Sequence, residues 1–202
     1  MEVSKIQLSD AESEMMQNAD LILTKNRVMQ KMSGLLEQVQ ERQQDCIQAN
    51  EWMEKEIFRT PPKISRGENY LGLPWLILDF PRISGSDGVF FIRTMFWWGR
   101  FFSSTLHVSG IYKERTVTQV MESYHRLSGY AIGINEDPWV HHFEPGNYQP
   151  ISELPEDAFA IICQEHDHLK IAKPYPLEEW NQAVSKLFDR WKELLEVSGS
   201  VT

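Results

Sequence analysis

The chain has 202 residues, of which 42% are hydrophobic and 24% charged, and a formal net charge of −9. That length can bury a sizeable core, and the acidic balance argues against a protein that binds nucleic acid. No apolar run approaches the roughly 20 residues that span a bilayer, and residues 1–16 lack the apolar centre of a signal peptide. We therefore predict one soluble, cytoplasmic domain over residues 1–202, with no membrane or nucleic-acid partner.

The two cysteines, Cys46 and Cys163, lie far apart and neither belongs to a CxxC pair. We predict no disulfide framework and no metal site, with Cys46 in a helix and Cys163 in a strand. Residues 61–135 differ from the rest of the chain because their basic side chains outnumber the acidic ones. Their arginines are expected either to lie along the surface or to bind an anionic small molecule.

Residues 8–58 contain no proline and a single glycine, and their apolar residues recur at about seven-residue spacing, which predicts helix throughout. One position of the repeat carries Met15, Ile22, Met29, Leu36 and Ile57, and another carries Met32, Val39, Cys46 and Met53. Polar residues such as Asn18 and Lys25 interrupt the same stripe. The N-terminal helical segment, residues 1–60, is therefore expected either to pack on the body as one or two helices or to form a homodimer interface.

The pair Pro61-Pro62 ends this helical segment, because proline lacks the backbone N–H and disfavours helix in the residue before it. Residues 66–70 are expected to form a connecting turn or a ligand loop. Residues 75–80 are almost entirely apolar and predict a strand covered on both faces, with Asp79 as the exception. If the neighbouring strand is the next one along the chain, Asp79 is expected to pair with Arg93 or His107.

An aromatic hairpin is predicted over residues 89–109, with Gly99-Arg100 as a two-residue turn. Opposite residues then have numbers that add up to 199, which places Trp98, Thr94 and His107 on one face. Ser103 and Thr105 share that face, while Arg93 lies on the other. These hydroxyls and the imidazole favour a ligand pocket over an aromatic floor, the alternative being a satisfied polar core.

Beyond the hairpin, the pattern predicts a short middle helix that starts at residues 116–119 and stops at Gly129, and a strand at 130–134. A second hairpin is predicted from residues 158–165 and 168–173, because isoleucine favours strands. Its tip holds His166 and His168, which are expected to be solvated rather than metal-binding. A C-terminal amphipathic helix follows Pro176. The order predicts an α+β fold with a mainly antiparallel sheet of about six strands.

No phosphate-binding loop, dinucleotide fingerprint, nucleophile elbow or HExxH motif occurs in the chain, so neither a reaction nor a cofactor follows from it. One hypothesis is a small-molecule binding protein with an aromatic pocket over the sheet. Its candidate ligand-binding residues are Thr94, Ser103, Thr105, His107, Arg93, Asp79 and Trp98. The alternative is a non-enzymatic interaction module that dimerises or binds a protein through the N-terminal helix. The first predicts a concave cavity, and the second a filled sheet with an exposed helical stripe.

Overall fold

The computed structural model describes residues 5–52 and 55–200, and it has five α-helices and one seven-stranded sheet in that part of the chain. The helices are α1 (Asp10–Gln17), α2 (Ala19–Ala49), α3 (Gly110–Glu122), α4 (Glu156–Glu165) and α5 (Ala183–Val197). The strands are β1 (Lys63–Tyr70), β2 (Leu73–Gly85), β3 (Gly88–Trp97), β4 (Phe101–Ser109), β5 (Ala131–Gly133), β6 (Tyr148–Pro150) and β7 (His168–Tyr175).

All neighbouring strands of the sheet are antiparallel, in the order β1-β2-β3-β4-β7-β5-β6. The predicted α+β class with a mainly antiparallel sheet is confirmed, with seven strands instead of about six. One strand that the sequence did not predict is β1, which includes residues 66–70 and pairs with β2. Its residues are only partly buried or exposed, as expected for an edge strand. Its sequence is polar and contains a glycine, which is also typical of a loop.

The two faces of the sheet differ in what covers them. The first face packs against α2, α3 and α5 and forms the main apolar core. At its centre Trp191 of α5 is fully buried and donates its indole N–H to the Phe80 carbonyl, 2.6 Å away. The second face is covered by residues 134–147, an irregular segment between β5 and β6 that we call the cover segment. The second face holds the unusual polar residues of the protein.

The N-terminal helical segment consists of two helices, with a break at Asn18 whose side chain accepts a hydrogen bond from the Leu21 N–H. None of the described residues 5–28 is buried. Burial in α2 begins at Met29 and continues through Leu36 to Ile47. Apolar packing on the body therefore begins at Met29. Residues 8–28 form a largely exposed extension that we call the arm, and Lys25 near its end pairs with Glu68 of β1. Met53 of the predicted repeat lies outside the described residues.

The aromatic hairpin has a different register from the predicted one. Phe90 pairs with Val108 and Trp97 with Phe101, so opposite residues add up to 198 instead of 199. The turn holds three residues, 98–100, with Gly99 at a φ of 66°. Glycine adopts this left-handed conformation without steric cost, and three-residue hairpin turns need such a residue. The shift of one residue puts every side chain of β3 on the opposite face, relative to β4, from the one predicted.

Two further predictions are wrong in their helical content. Residues 158–165, predicted as a strand, belong to α4, in which Phe159 and Cys163 are one turn apart and both fully buried. Helical packing of these two side chains outweighs the strand preference of Ile161, which is half-exposed. The middle helix begins at Gly110 instead of Thr116, which is buried inside it, and α3 ends at Glu122, before the predicted stop at Gly129. Among the described residues, no helix combines the length and apolar character needed to cross a membrane.

Candidate functional sites

Four neighbouring strands contribute charged or ionisable side chains to the second face of the sheet. Asp79 of β2 pairs in register with Arg93 of β3, and His107 of β4 pairs in register with Lys170 of β7. His141 of the cover segment lies over them and contacts Arg93. We call these five residues the polar cluster. Apart from Arg93, which is mostly buried, each is less than a tenth exposed.

The central contact of the cluster is an ion pair with two parallel hydrogen bonds. The Arg93 guanidinium donates from Nε to Asp79 Oδ1 at 2.7 Å and from Nη2 to Oδ2 at 2.8 Å. This confirms the first of the two partners that the sequence predicted for Asp79. A bidentate pair satisfies both buried charges, which would otherwise be costly to desolvate.

The third hydrogen bond of Arg93 fixes the tautomer of His141. Arg93 Nη1 lies 2.8 Å from His141 Nε2, and a guanidinium can only donate, so Nε2 accepts and the ring hydrogen is on Nδ1. That Nδ1 is buried and has no hydrogen-bond partner among the described residues. His107 Nε2, on a side chain only 3% exposed, likewise has none. Buried polar groups are normally paired, so two orphans in one cluster point to a role beyond packing.

Lys170 is a buried lysine without a carboxylate partner in the part of the chain that the structure describes. Its side chain is 2% exposed, and among the described residues no carboxylate lies within salt-bridge distance of it. Its ammonium donates a hydrogen bond to the Val140 carbonyl and lies 5.1 Å from the centroid of the Tyr148 ring. Burial, and secondarily the charge of Arg93, lowers the pKa of Lys170 to about 7. An ammonium in this position is close to losing its proton at neutral pH.

The cover segment is held by contacts along its length. Its His141 N–H donates to the Tyr70 hydroxyl at 2.7 Å, and Trp139 packs edge-on against His107 with centroids 5.3 Å apart. Phe143 stacks on Tyr148 at 4.5 Å. The volume in which the sequence predicted an open aromatic pocket is therefore occupied by the cover segment. The cover segment therefore lies over the polar cluster on the second face.

The corrected register divides the predicted ligand-binding residues between the two faces. Asp79, Arg93, Ser103, Thr105 and His107 lie on the second face. Thr94 pairs with Ser104 on the first face, and Trp98 lies in the turn and packs against the main core. Whether any of these residues binds a ligand stays a prediction.

Sequence reasoning missed Lys170 and His141 as members of the cluster. The one signal for Lys170 in the sequence was the alternation of β7, which puts Lys170 on the same face of the strand as His168. His141 reaches the cluster through the path of the cover segment, for which the sequence has no periodic pattern. No group of three or more His, Cys, Asp or Glu side chains in the described part of the chain is placed to hold a metal ion.

The neutral imidazoles should make the protein sensitive to acid. Burial, then the charge of Lys170, lowers the pKa of His107 to about 3, while in the unfolded chain it stays near 6.5. Between these values the unfolded chain binds a proton that the folded protein excludes. The free energy of unfolding should therefore fall by about 1.4 kcal/mol per pH unit through this group as the pH drops below 6.5.

Replacing His107 by asparagine should remove that part of the pH dependence. Urea unfolding between pH 4 and pH 6.5 should show a slope about 1.4 kcal/mol per pH unit smaller for His107→Asn than for the unmodified chain. The matched control is His125→Asn, since His125 is exposed. Equal slopes for the unmodified chain and His107→Asn would mean that His107 is not held neutral by its surroundings.

A second candidate site is the surface of the arm. Large apolar side chains that are 44–70% exposed concentrate there: Leu8, Met15, Met16, Leu21, Ile22 and Leu23. At the break between α1 and α2 an open groove of about 700 Å³ is lined by three carboxylates, those of Asp10, Glu14 and Asp20. Clustered exposed apolar residues with a polar rim are typical of surfaces that bind another protein.

Comparison with models of known protein families, with curated proteins and with solved structures found no match to this chain.

Proposed function

We propose that the protein is an interaction module that self-associates through the arm. The observation that supports this proposal is the concentration of exposed apolar side chains in residues 8–23, which form α1 and the start of α2 and include no buried residue. Isolated short helices are marginal in water, and most helices of this length are stabilised by packing. A partner that covers Met15 and Ile22 would supply the missing packing for the arm.

The exposed stripe continues the stripe by which α2 packs on its own body. Ile22 precedes Met29 by seven residues, and Met29 precedes Leu36 by seven, so the three lie on one side of α2. Met29 and Leu36 are buried by the body, whereas Ile22 is 54% exposed. The body therefore ends before the stripe does, and the uncovered part has the composition of an ordinary helix interface.

The distribution of charge along the arm favours a second copy of this chain as the partner that covers it. The first helix of the arm carries only acidic charges, at Asp10, Glu12 and Glu14, while basic Arg27 lies near the other end. A two-fold axis near Leu21 sets the acidic end of one arm beside the basic end of its partner, with Glu14 close to Arg27 of the second copy. The same patch then serves both subunits, which is the commonest arrangement in homodimers.

Sedimentation of the full chain with Ile22→Glu tests this proposal. The unmodified chain should sediment at twice its 23.6 kDa mass, and Ile22→Glu should weaken association about a hundredfold or more, because the lost burial occurs twice in a two-fold dimer. Leu71→Glu is the matched control, since Leu71 is an apolar residue of comparable exposure in the turn between β1 and β2. It should remain dimeric.

Charge reversal tests the identity and direction of the partner. Glu14→Arg and Arg27→Glu should each associate more weakly than the unmodified chain, and a one-to-one mixture of the two variants should associate more tightly than either alone. A monomer at every accessible concentration would overturn self-association. A dimer that Ile22→Glu leaves intact would place the interface elsewhere.

A further inference from the structure

Two nitrogens of the polar cluster, unpartnered among the described residues, belong to residues that lie next to Lys170. Lys170 and His107 are direct cross-strand neighbours on one face, which places their Cβ atoms about 5 Å apart. Val140, whose carbonyl accepts from Lys170, directly precedes His141 in the chain. His141 Nδ1–H and His107 Nε2, both buried and without a hydrogen-bond partner among the described residues, thus belong to residues next to Lys170 in the cover segment and in the sheet. The ammonium and His141 Nδ1–H are donors, and His107 Nε2 is a third donor when the neutral ring carries its hydrogen on that nitrogen.

The charges of the cluster do not balance. The carboxylate of Asp79 is fully engaged by Arg93, and the two imidazoles are neutral. The protonated Lys170 ammonium is therefore a net single positive charge in the protein interior. A buried ammonium without a counter-ion is strongly unfavourable, and a single negative charge next to it would restore neutrality.

We propose that the polar cluster binds a small monoanion of the carboxylate type, held by the Lys170 ammonium, His141 Nδ1–H and His107 Nε2–H. Arg93 orients His141 from behind, and its pairing with Asp79 keeps it from competing for the anion. A carboxylate fits because its two oxygens accept several hydrogen bonds and it carries one charge. Ligand binding on this face extends the expectation drawn from the sequence, and it is independent of the self-association proposed above.

A route to Lys170 exists on the side of Tyr148. One surface of the Tyr148 ring faces the ammonium, and Tyr148 also lines an open apolar groove of about 640 Å³ together with Phe143 and Ile134. The stacked rings of Tyr148 and Phe143 lie between the cluster and this groove. Rotation of the two rings would admit a carboxylate whose remaining atoms are few and apolar.

Binding should follow the protonation of Lys170. The charged and titratable groups that face it are Arg93, His107, His168, Asp137, His141 and Tyr148. The histidines among them have lowered pKa values, so they stay uncharged near neutrality, and Asp137 is the one that favours the ammonium. Affinity for a carboxylate should accordingly be constant between about pH 5.5 and pH 7, where the ligand stays ionised, and fall about tenfold for each pH unit above pH 7.

Acetate is a suitable probe, titrated into the full chain at pH 6 in a buffer without other carboxylates and followed by calorimetry and by the ¹⁵N shift of His141 Nδ1. We expect saturable binding to the unmodified chain and at least tenfold weaker binding to Lys170→Met. Methionine fills the volume of the lysine stem without its charge, so this variant should fold. Lys173→Met is the matched control, because Lys173 is on the same strand but on the first face, and it should bind as the unmodified chain does.

A second variant makes the test independent of how Lys170→Met folds. His107→Phe keeps an aromatic ring against Trp139 but removes the nitrogen, and it should weaken acetate binding several-fold. Saturable binding that is equal in all variants would place acetate elsewhere on the protein and overturn the proposal. Absence of binding to the unmodified chain at pH 6 would overturn it as well. Neither result depends on the oligomeric state.

Discussion

Arg93→Met is expected to lower the free energy of unfolding by about 3–5 kcal/mol, the largest effect of any single change in the polar cluster. The substitution leaves the Asp79 carboxylate buried at 7% exposure with both oxygens unpaired, and it removes the donor to His141 Nε2. Urea unfolding followed by far-ultraviolet circular dichroism would measure the loss. Because the charge left behind is the cause, the loss should exceed that from a neutral core truncation of similar volume.

Two controls separate the buried charge from the loss of packing. Asp79→Leu combined with Arg93→Met should recover most of the stability, since replacing both members of a buried pair by apolar residues is often neutral or better. Arg126→Met breaks the exposed pair with Glu196 and should cost no more than about 1 kcal/mol. A loss below about 1 kcal/mol for Arg93→Met would mean that the pair is accessible to water.

Gly110→Ala is expected to cost at least about 3 kcal/mol, because the backbone at this position leaves no room for a side chain. A Cβ at residue 110 would lie 2.1 Å from the Asp87 carbonyl oxygen, and the residue has a φ of 55°. The same carbonyl accepts a hydrogen bond from the Ile111 N–H at 3.0 Å. Gly88 is in the reciprocal position, where a Cβ would lie 2.2 Å from the Ser109 carbonyl oxygen. The two glycines thus let the β2–β3 turn lie directly against the start of α3.

Gly146→Ala separates the cost of the steric clash from the cost of the positive φ. Gly146 also has a positive φ, 88°, but a Cβ there meets nothing within 4 Å. It should lose only the backbone preference, about 1–2 kcal/mol. Equal losses for the two variants in urea unfolding would mean that the Asp87 turn moves away to accept the new methyl group.

The parts of the fold that the sequence predicts well are those with long, regular patterns. Helix α2 follows from its apolar repeat, β2 from its continuous apolar run, and the ion pair between Asp79 and Arg93 from two charges inside apolar strands. For the two elements one local pattern suffices, and packing against neighbours does not change the outcome, whereas the ion pair also required that consecutive strands be neighbours in the sheet.

The predictions that failed depended on a single residue or on distant packing. The aromatic hairpin was predicted in the wrong register because its turn contains Trp98 as well as Gly99 and Arg100, and one extra turn residue reverses the facing of a whole strand. Helix α4 was predicted as a strand because isoleucines such as Ile161 and Ile162 favour strands. In the folded protein the burial of Phe159 and Cys163, one helical turn apart, stabilises a helix instead.

Only part of the candidate site could be predicted from the sequence. Its sheet residues can be found once the register is known, because alternation along β3 and β4 then places Arg93 and His107 together. His141 belongs to the cover segment, which has no periodic pattern of apolar residues, and its contact with Arg93 depends on the path of that segment in the folded protein. The orphaned nitrogens, which carry the argument for a ligand, are a property of three-dimensional packing alone.

The different covering of the two faces has a consequence for the order in which the protein opens. The first face is sealed by helices through a continuous apolar core, while the cover segment is attached by a handful of polar and ring contacts. Segments with few buried apolar contacts open at lower free energy than the core around them. We therefore expect residues 134–147 to open as one unit, so that in a hydrogen-exchange measurement their amides exchange together while those of the helices stay protected.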